Sequence, residues 1–541
     1  MTRSVRSQVP LAVRVMSQIR RLSATETGAP VLLSRGWVAA AWTIAALAFA
    51  GELARPANHD VAWFMYIARR MLQGDRLYVD LMEDNPPPII WLNFPALFVA
   101  RLLHMKALDV FRVAVAGAAV GSALVTGTVL ARSRLGASVR PLAAALAALL
   151  FTIIPGTSFA QREHVAAIAV LPYLALSAAP PIEVPFRRGA RIALGLLAGL
   201  GMTLKAPLFL LWGILTAMAV TRFVKRRVPV PAEHLAALGS GVVMGLAVWF
   251  FFPRYFPYAV VMAPHHYRFA FQPMPFVLFA HPLDVSLLLF TTIGLVLLWR
   301  TSSASTAVAT FLVGGAASLV VVVLQHKGYD YHHIPGVTFA AMGLGLLVCI
   351  RPTKAENPAQ LLARAALTLG FFGGLVFGTV RDLSAKVEYA TNPVAGDKWL
   401  LRQLMMEQPG ASVMVLSTRL PDAFPLVEDL GFRYVGGPPS QWQIPEYYGS
   451  PGEQPQPTTY HAPGAMPAFE RLFYDRAVRD LTTLRPQLLL VEKPRAVRVR
   501  LNATNDFDFL AYLAQDSAAA RALQHYRFVL SADRLLLYRL Q

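Results

Sequence analysis

A short polar segment beside a long apolar run contains a carboxylate that could act as a base. Asp60 follows the apolar run 36–53 and stands next to His59. A carboxylate at such a boundary can take a proton from an attacking hydroxyl group, and general-base assistance is worth about 10²–10⁴-fold in rate. Helix capping by Asn58 or Asp60 explains the same residues without any chemistry.

A second polar segment, Gln161 to His164, opens a later apolar run. Four successive polar side chains are costly at a bilayer edge if they face lipid alone. This cost favours a functional use of the segment, with Arg162 and His164 as candidate substrate ligands. The helix dipole alone also favours an acid in a first turn, so a structural role is the alternative.

Cationic and aromatic residues in the remaining polar segments suit a phosphate and a sugar ring, because charge-assisted donors bind phosphate and aromatic rings lie well at an interface. Adjacent histidines point apart, which disfavours a metal site, so no cofactor is assigned, although a divalent cation is compatible with the pattern. Lys327 and Arg268 are the main phosphate candidates, with snorkelling as the alternative. The predicted substrate-binding residues are His59, Glu83, Asp84, Arg162, His164, Lys205, His265, His266, Arg268, Lys327, Tyr331 and His332.

The composition calls for a bilayer around much of the chain. The 541 residues are 55% hydrophobic and 15% charged, with a mean hydropathy of +0.46. This is more apolar surface than soluble domains of that length hide. The net charge of +19 is spread over short clusters, not a basic stripe, so no nucleic-acid partner is expected. The single cysteine, Cys349, excludes a disulfide framework and a thiolate metal site.

Apolar runs long enough to cross a hydrocarbon core of roughly 30 Å recur up to residue 380. They predict about eleven spans. A proline and a lysine near 205–207 divide the run 190–220 into a hairpin, although a single tilted helix is the alternative. The predicted spans are 36–53, 109–131, 141–155, 165–180, 190–203, 206–221, 235–252, 282–299, 306–324, 334–350 and 361–380.

Arginine and lysine clusters set the predicted orientation. We take residues 1–35 as a cytoplasmic basic leader and the first span as an uncleaved signal anchor. The arginine and lysine clusters then fall almost entirely on the inner side, in accord with the positive-inside rule. Cleavage after Ala48-Phe49-Ala50 is the alternative. The segment Pro88 to Leu103 must then lie in the outer interface, within a first outer loop at 54–108. All the candidate site residues consequently face outward.

From 381 to 541 the apolar runs give way to alternating helical and strand patterns. We predict a helix near 397–407, strands at 412–416 and 487–491, and a closing strand pair around 525–539. The segment 436–465 is rich in Pro, Gly and Tyr and is too long for a plain connector. These features predict an α/β domain, which an odd number of spans puts outside.

The first outer loop resembles that of the GT-C glycosyltransferases. The similar features are Asp60 just after the first span, the run Gly74 to Asp80, the Pro86-Pro87 turn and the interfacial helix. They most resemble the protein-O-mannosyltransferase and aminoarabinose-transferase-like branch, and the similarity covers residues 36–380. Relatives often carry Asp-Glu and Lys-Pro-Pro where this chain has Asp60-Val61 and Asn85-Pro86, so the lysine of that turn is missing.

The resemblance implies a polytopic α-helical membrane enzyme that moves one sugar from a polyprenyl-phosphate donor to an acceptor hydroxyl, with inversion. Asp60 would be the base, and Glu163, in the next outer loop, would assist it. The acceptor would be a glycolipid, a polysaccharide or a protein. The expected location is a bacterial inner membrane, with the α/β domain in the periplasm.

Three other functions fit the pattern less well. A lipid or solute transporter normally carries ionisable groups near the bilayer midplane, where the predicted spans have almost none. A polysaccharide ligase or polymerase with diphosphate-linked donors would be expected to depend on Arg and His more than on an acid. A non-catalytic scaffold would tolerate substitution of Asp60, Glu163 and Lys327.

Overall fold

The chain is helical up to residue 391 and mixed α/β thereafter. The computed structural model describes residues 31–133, 135–178, 186–227, 229–258, 271–279, 282–391, 405–406, 408, 410–441, 444–448, 459–494, 498–499, 503–504, 507–532 and 534–541. The helices of the first part are α1 (Arg35–Ala54), α2 (His59–Leu72), α3 (Pro87–Trp91), α4 (Phe94–Leu103), α5 (Ala107–Ala131), α6 (Val139–Ile153), α7 (Arg162–Ala178), α8 (Arg188–Thr203), α9 (Phe209–Arg226), α10 (Ala232–Phe251), α11 (Tyr255–Pro257), α12 (Met274–Phe279), α13 (Pro282–Leu298), α14 (Ser305–Gln325), α15 (Ile334–Cys349) and α16 (Pro358–Thr391).

This first part is a multi-pass membrane domain. Each predicted span falls on an observed helix. The predicted hairpin break is also present, because α8 ends at Thr203 and a 3-10 turn, Ala206–Leu208, precedes α9. Among the described residues, seven segments are long and apolar enough to cross a bilayer: Arg35–Ala54, Ala107–Ala131, Ala206–Lys225, Ala232–Phe251, Ser305–Gln325, Asp330–Cys349 and Pro358–Glu388.

Glycines bring α8 and α10 into close contact. A Cβ atom on Gly199 would lie 2.0 Å from Oγ of Ser240, and one on Gly195 would lie 2.3 Å from the carbonyl oxygen of Glu233. Small residues four positions apart let membrane helices approach this closely. The same contact holds a buried ion pair between Arg191 and Glu233, at 2.5 Å. The helix that leads to the α8–α9 turn is therefore firmly placed.

The predicted interfacial helix from Pro88 to Leu103 is wrong in one respect, because the segment forms two helices, α3 and α4. The break lies at Asn93, which is 1% exposed. Its Nδ2 donates to the carbonyl oxygen of Ile89 at 2.9 Å. Pro95 stands in the first turn of α4 and has no amide hydrogen to bond the carbonyl oxygen of Trp91, which explains the break.

The C-terminal part contains a mixed five-stranded sheet in the order β2-β1-β3-β7-β6. Strand β1 is parallel to β2 and to the central strand β3, and β7 is antiparallel to β3 and β6. The predicted strands at 412–416 and 487–491 and the closing pair are therefore present, whereas most of the predicted helix 397–407 lies outside the described residues. The elements are β1 (Ser412–Leu416), α17 (Leu426–Asp429), β2 (Arg433–Tyr434), α18 (Ala468–Leu484), β3 (Leu488–Glu492), β4 (Arg498–Val499), β5 (Ala503–Thr504), α19 (Phe509–Leu513), α20 (Ser517–Leu523), β6 (Tyr526–Ala532) and β7 (Leu535–Leu540).

The sheet packs against α2, the helix that begins with His59-Asp60. The hydroxyl of Tyr66 accepts a hydrogen bond from the amide of Tyr434 at 2.9 Å. Arg69 pairs with Glu428 at 2.6 Å. Both contacts join residues more than 350 positions apart in sequence. The α/β part therefore helps to fix the first outer loop.

A buried ion network joins the end of α1 to α16. Nζ of Lys386 lies 2.8 Å from Glu52 and 2.5 Å from Asp382. Arg55 also pairs with Glu52, and Arg112 donates to the carbonyl oxygens of Glu52 and Arg55. Because the i,i+4 pair of Asp382 and Lys386 supports further helical turns, α16 continues to Thr391. The predicted domain boundary at 380/381 thus falls inside a helix.

This network predicts a strong effect of one substitution on stability. Lys386→Met leaves the carboxylate of Asp382, which is 6% exposed, without its cation, and should lower the free energy of unfolding by about 3–5 kcal/mol. The double variant Asp382→Asn/Lys386→Met removes both charges and should recover most of that loss. Apparent unfolding midpoints in detergent would measure both effects. A wild-type midpoint for Lys386→Met would contradict a stabilising role for the network.

Candidate active site

The loop that follows α1 and the loop that precedes α7 meet at Asp60. Nε2 of Gln161 donates to Oδ2 of Asp60 at 2.8 Å and to Oδ1 of Asn58 at 3.0 Å. Asn58, not Asp60, caps α2, because its Oδ1 accepts from the amide of Asp60. The side chain of Asp60 remains 22% exposed, with Nε2 of His59 at 3.7 Å from its Oδ1. The carboxylate is therefore held in place and still reachable.

A cationic cluster lies next to this carboxylate. It includes Arg162 and Glu163, the two residues that follow Gln161. Oε1 of Glu163 lies 2.6 Å from Nζ of Lys205 and 3.0 Å from Nε of Arg162. Nε2 of His332 lies 3.9 Å from the same oxygen. Glu163 is fully buried and Lys205 is 7% exposed. One acid therefore holds two cations in a buried position.

Lys327 adds to the positive potential of this cluster. Burial lowers the pKa of Lys327 well below its usual value, and the charges of Arg162 and Lys205 lower it further. The charges of Arg162 and Lys205 exceed that of Glu163 by one, and protonation of Lys327 would add one more positive charge. An anionic ligand such as a phosphate would relieve this excess and favour the protonated form of Lys327.

Several buried polar atoms around the cluster have no hydrogen-bond partner within the described part of the chain. They are Oε2 of Glu163 and both ring nitrogens of His332. Buried polar atoms are normally paired, so such a group of atoms suits a polar ligand. Tyr331 packs on this histidine at a ring distance of 4.7 Å and stacks on Tyr329, which adds an aromatic surface.

Glu83 is buried and holds local structure together, whereas a residue in such a turn would ordinarily be exposed to solvent. It is 6% exposed. Its carboxylate accepts from Nε1 of Trp63 and from the backbone and side-chain nitrogens of Asn85. Tyr78 donates to the carbonyl oxygen of Asn85 at 2.6 Å. These bonds tie the turn before Pro86 to α2. Asp84 is partly exposed and interacts with Tyr258.

Glu83 should make the stability depend on pH. Burial and the charge of Asp84 raise the pKa of Glu83 to about 7, against about 4.3 in an unfolded chain. The folded state thus binds this proton more tightly, so the free energy of unfolding falls as pH rises through this interval and levels off above it, by about 4 kcal/mol at most.

We therefore expect the apparent unfolding midpoint to fall between pH 5 and pH 8, and Glu83→Gln to remove most of that slope. Asp84→Asn is the matched control and should give an intermediate slope, because it removes the second cause of the shift. Equal slopes in the wild type and Glu83→Gln would rule out this titration.

His164 is one predicted substrate ligand that the structure places in the packed interior. It is fully buried. Its Nδ1 accepts from the amide of Ala160 at 3.1 Å, and its ring lies against Phe159 and Phe151. Ala160 has a positive φ of 66°, which is strained for a residue with a Cβ. The histidine therefore stabilises this turn.

The remaining predicted ligands cannot be placed. His265, His266 and Arg268 lie outside the described residues. Within the described ranges, no group of three or more His, Cys, Asp or Glu side chains has the arrangement of a metal site.

Sequence reasoning missed Asn58 and Gln161 as members of the site. The sequence indicates a capping role for Asn58 and places Gln161 beside charged residues, but it does not indicate that the two side chains meet. Their partnership depends on a contact between residues 103 positions apart, which no local pattern reveals. The succession of four polar residues at 161–164 was the available signal.

The sequence matches no protein-family model and no curated protein. Two crystal structures of ArnT from Cupriavidus metallidurans are similar over nearly the whole chain. The undecaprenyl-phosphate-bound form has a TM-score of 0.54 at 14% identity, and covers 94% of this chain and 98% of its own. The apo form has a TM-score of 0.53 at 13% identity, with 93% and 97% covered.

The chain has the GT-C fold. The fold expected from the first outer loop is thereby confirmed. The site residues lie at one end of the helix bundle, since they follow α1 and α8 and begin α7 and α15. Arg112 contacts the end of α1 at this end of α5. Arg132, at the other end of this helix, is roughly 30 Å from Arg112.

Proposed function

We propose that the protein transfers a single sugar from a polyprenyl-phosphate donor to an acceptor hydroxyl, with inversion at the anomeric carbon. The observation that carries the proposal is the position of the Asp60 carboxylate next to a buried cationic cluster. Three consecutive residues, Gln161 to Glu163, connect the two. A base and a phosphate site must lie side by side for this reaction.

In the proposed reaction Asp60 takes the proton of the acceptor hydroxyl as its oxygen attacks the anomeric carbon. The bond between that carbon and the phosphate oxygen breaks, and both bonding electrons leave with the phosphate. Lys205, Arg162 and Lys327 stabilise the charge that develops on this leaving group. His332 and the aromatic surface of Tyr331 lie beside it.

For Glu163 we propose a positioning role in place of the base or acceptor-orienting role expected from the sequence. Its carboxylate is fully buried and is engaged by Lys205 and Arg162. A carboxylate with two cationic partners is a weak base, because both partners favour its ionised form. The same contacts fix the directions of the two cations.

The lipid carrier is proposed by chemistry and by analogy of fold. The cationic cluster lies at the membrane domain, where a lipid-borne phosphate arrives. ArnT of the same fold has been crystallised with undecaprenyl phosphate. The sugar, a hexose or a pentose, and the acceptor, a glycolipid, polysaccharide or protein, are not specified by the described residues.

We further propose that the site faces the periplasm of a bacterial inner membrane, with residues 1–35 in the cytoplasm and the α/β domain outside. The basic residues Arg132, Arg140 and Arg188 lie at or next to helix ends opposite the site. Their placement follows the positive-inside rule if the site is extracytoplasmic.

Mass spectrometry of copurifying lipid tests the donor class. The wild type should carry polyprenyl phosphate, the spent carrier, whereas Asp60→Asn should retain the intact polyprenyl-phosphate sugar. Lys205→Met is the matched control and should retain less of either lipid. A diphosphate-linked oligosaccharide on the protein would instead indicate a ligase or polymerase. Lipid or solute flux in liposomes without any glycosylated product would indicate a transporter.

A further inference from the structure

The side-chain amides of Gln161 and Asn58 form a clamp, in which Gln161 bonds one carboxylate oxygen of Asp60 and Asn58 bonds Gln161. Gln161 is 1% exposed, and its Nε2 donates to both Asp60 Oδ2 and Asn58 Oδ1. The opposite orientation of this amide would place Oε1 against two acceptor oxygens with no proton between them. The contacts therefore fix the orientation of the Gln161 side chain. In this orientation Oε1 is buried, and none of the described residues gives it a hydrogen bond.

The clamp distinguishes the two oxygens of the carboxylate. Oδ2 is occupied by the Gln161 amide at 2.8 Å. Oδ1 lies 3.7 Å from Nε2 of His59, which is beyond hydrogen-bond distance. Oδ1 is thus the oxygen available to accept a proton from a substrate. The hydrogen bond from Gln161 to Oδ2 fixes the orientation of the carboxylate and so the direction of the Oδ1 lone pairs.

The clamp is itself anchored on both loops. Nδ2 of Asn58 donates to the carbonyl oxygen of Thr157 at 3.1 Å. Arg55 donates to the carbonyl oxygen of Gly156 at 2.9 Å while paired with Glu52. These two hydrogen bonds, to the consecutive residues Gly156 and Thr157, and the bonds of Gln161 therefore hold the first loop at the position of the base.

We infer that Gln161 is a positioning residue that holds Asp60 Oδ2 and presents Oδ1 to the acceptor hydroxyl. This inference rests on the proposed function, since it assigns the atom that performs the base step. Gln161 does not touch the reacting atoms. It acts through Asp60, and its loss should change the protonation behaviour of that carboxylate as well as the rate.

Carbodiimide labelling tests this role without knowledge of the substrate. Dicyclohexylcarbodiimide reacts with protonated carboxyl groups, and peptide mass spectrometry measures its addition to Asp60 at each pH. Gln161→Leu removes a hydrogen bond to the ionised form, so the labelling midpoint should move up by about one pH unit. Thr157→Ala keeps the backbone acceptor and should leave the midpoint unchanged. An unchanged midpoint in Gln161→Leu would overturn the inference.

Gln161→Glu supplies a second, opposite signature in a transfer assay with the lipid recovered from the Asp60→Asn protein. The introduced carboxyl group can donate to Oδ2 when it is protonated, whereas its ionised form repels that oxygen. Turnover should therefore persist at low pH and fall at high pH, while Gln161→Leu lowers kcat about tenfold or more at every pH with KM nearly constant. Loss in Asp60→Asn together with wild-type behaviour in both Gln161 variants would overturn the inference alone. Wild-type turnover in Asp60→Asn would overturn the proposed function as well.

Discussion

Asp60→Asn should reduce the rate of sugar transfer by about 10²–10⁴-fold, the range expected when a general base is removed. Asparagine has the same shape and can still accept from Nε2 of Gln161, so the local fold should persist. The neutral amide cannot take the proton of the acceptor. The loss should therefore appear in kcat, with little change in the binding of the donor.

Two controls make this result specific. Asp60→Glu keeps a carboxylate but moves it, and should recover part of the rate. His59→Gln changes the neighbour at 3.7 Å and should have a much smaller effect. A rate near that of the wild type for Asp60→Asn would exclude Asp60 as the base and would favour a non-catalytic role for the chain.

Lys205→Met should reduce transfer by about 10²–10³-fold, a loss comparable to that of one donor to a developing negative charge. Nζ of Lys205 is buried beside Glu163, where no water can replace it easily. Methionine has a similar length and no charge, so the loss is electrostatic. Rates measured with saturating donor lipid would show it.

A double-mutant comparison separates the two roles that Glu163 could have. If Glu163 positions the cations, adding Glu163→Gln to Lys205→Met should slow transfer by a smaller factor than Glu163→Gln does in the wild type, because part of its effect is exerted through Lys205. If it is a second base, the factor should be the same in both backgrounds, and Glu163→Gln alone should be as slow as Asp60→Asn. Arg76→Gln, at an exposed ion pair with Asp80, should have the wild-type rate.

The membrane part of the fold was predictable from sequence because span length and apolar content are local properties. Helix boundaries lie close to the predicted ones, and the break before Ala206 was visible as a lysine and a proline inside an apolar run. The break at Asn93 has a signal too, Pro95, which lacks an amide hydrogen and interrupts a continuous helix, although the bond of the Asn93 side chain to the backbone appears only in the structure.

The residues of the candidate site could be predicted from the sequence better than the contacts between them. The polar segments containing Asp60, Glu163, Lys205 and His332 were all identified. Which of them pair was not, because each contact joins loops separated by dozens to hundreds of residues. Glu83 shows the consequence. Its type and its turn suggested a solvated or substrate-binding acid, whereas contacts with Trp63 and Asn85 bury it.

The extension of α16 and the packing of the sheet on α2 were unpredictable for a similar reason. No local pattern distinguishes Lys386, whose partners include Glu52 on α1, more than 330 positions earlier in the sequence. The contact of Tyr66 with Tyr434 likewise requires the folded arrangement of two distant segments.

The proposed sugar transfer depends most directly on an outward-facing Asp60 within reach of a lipid-borne sugar phosphate. Asp60→Cys in a Cys349→Ser background provides one thiol, because Cys349 is the sole cysteine. A membrane-impermeant maleimide should label this thiol from outside intact cells, and undecaprenyl phosphate should slow the labelling in purified protein. Labelling from the cytoplasmic side alone, or labelling indifferent to undecaprenyl phosphate, would contradict the account.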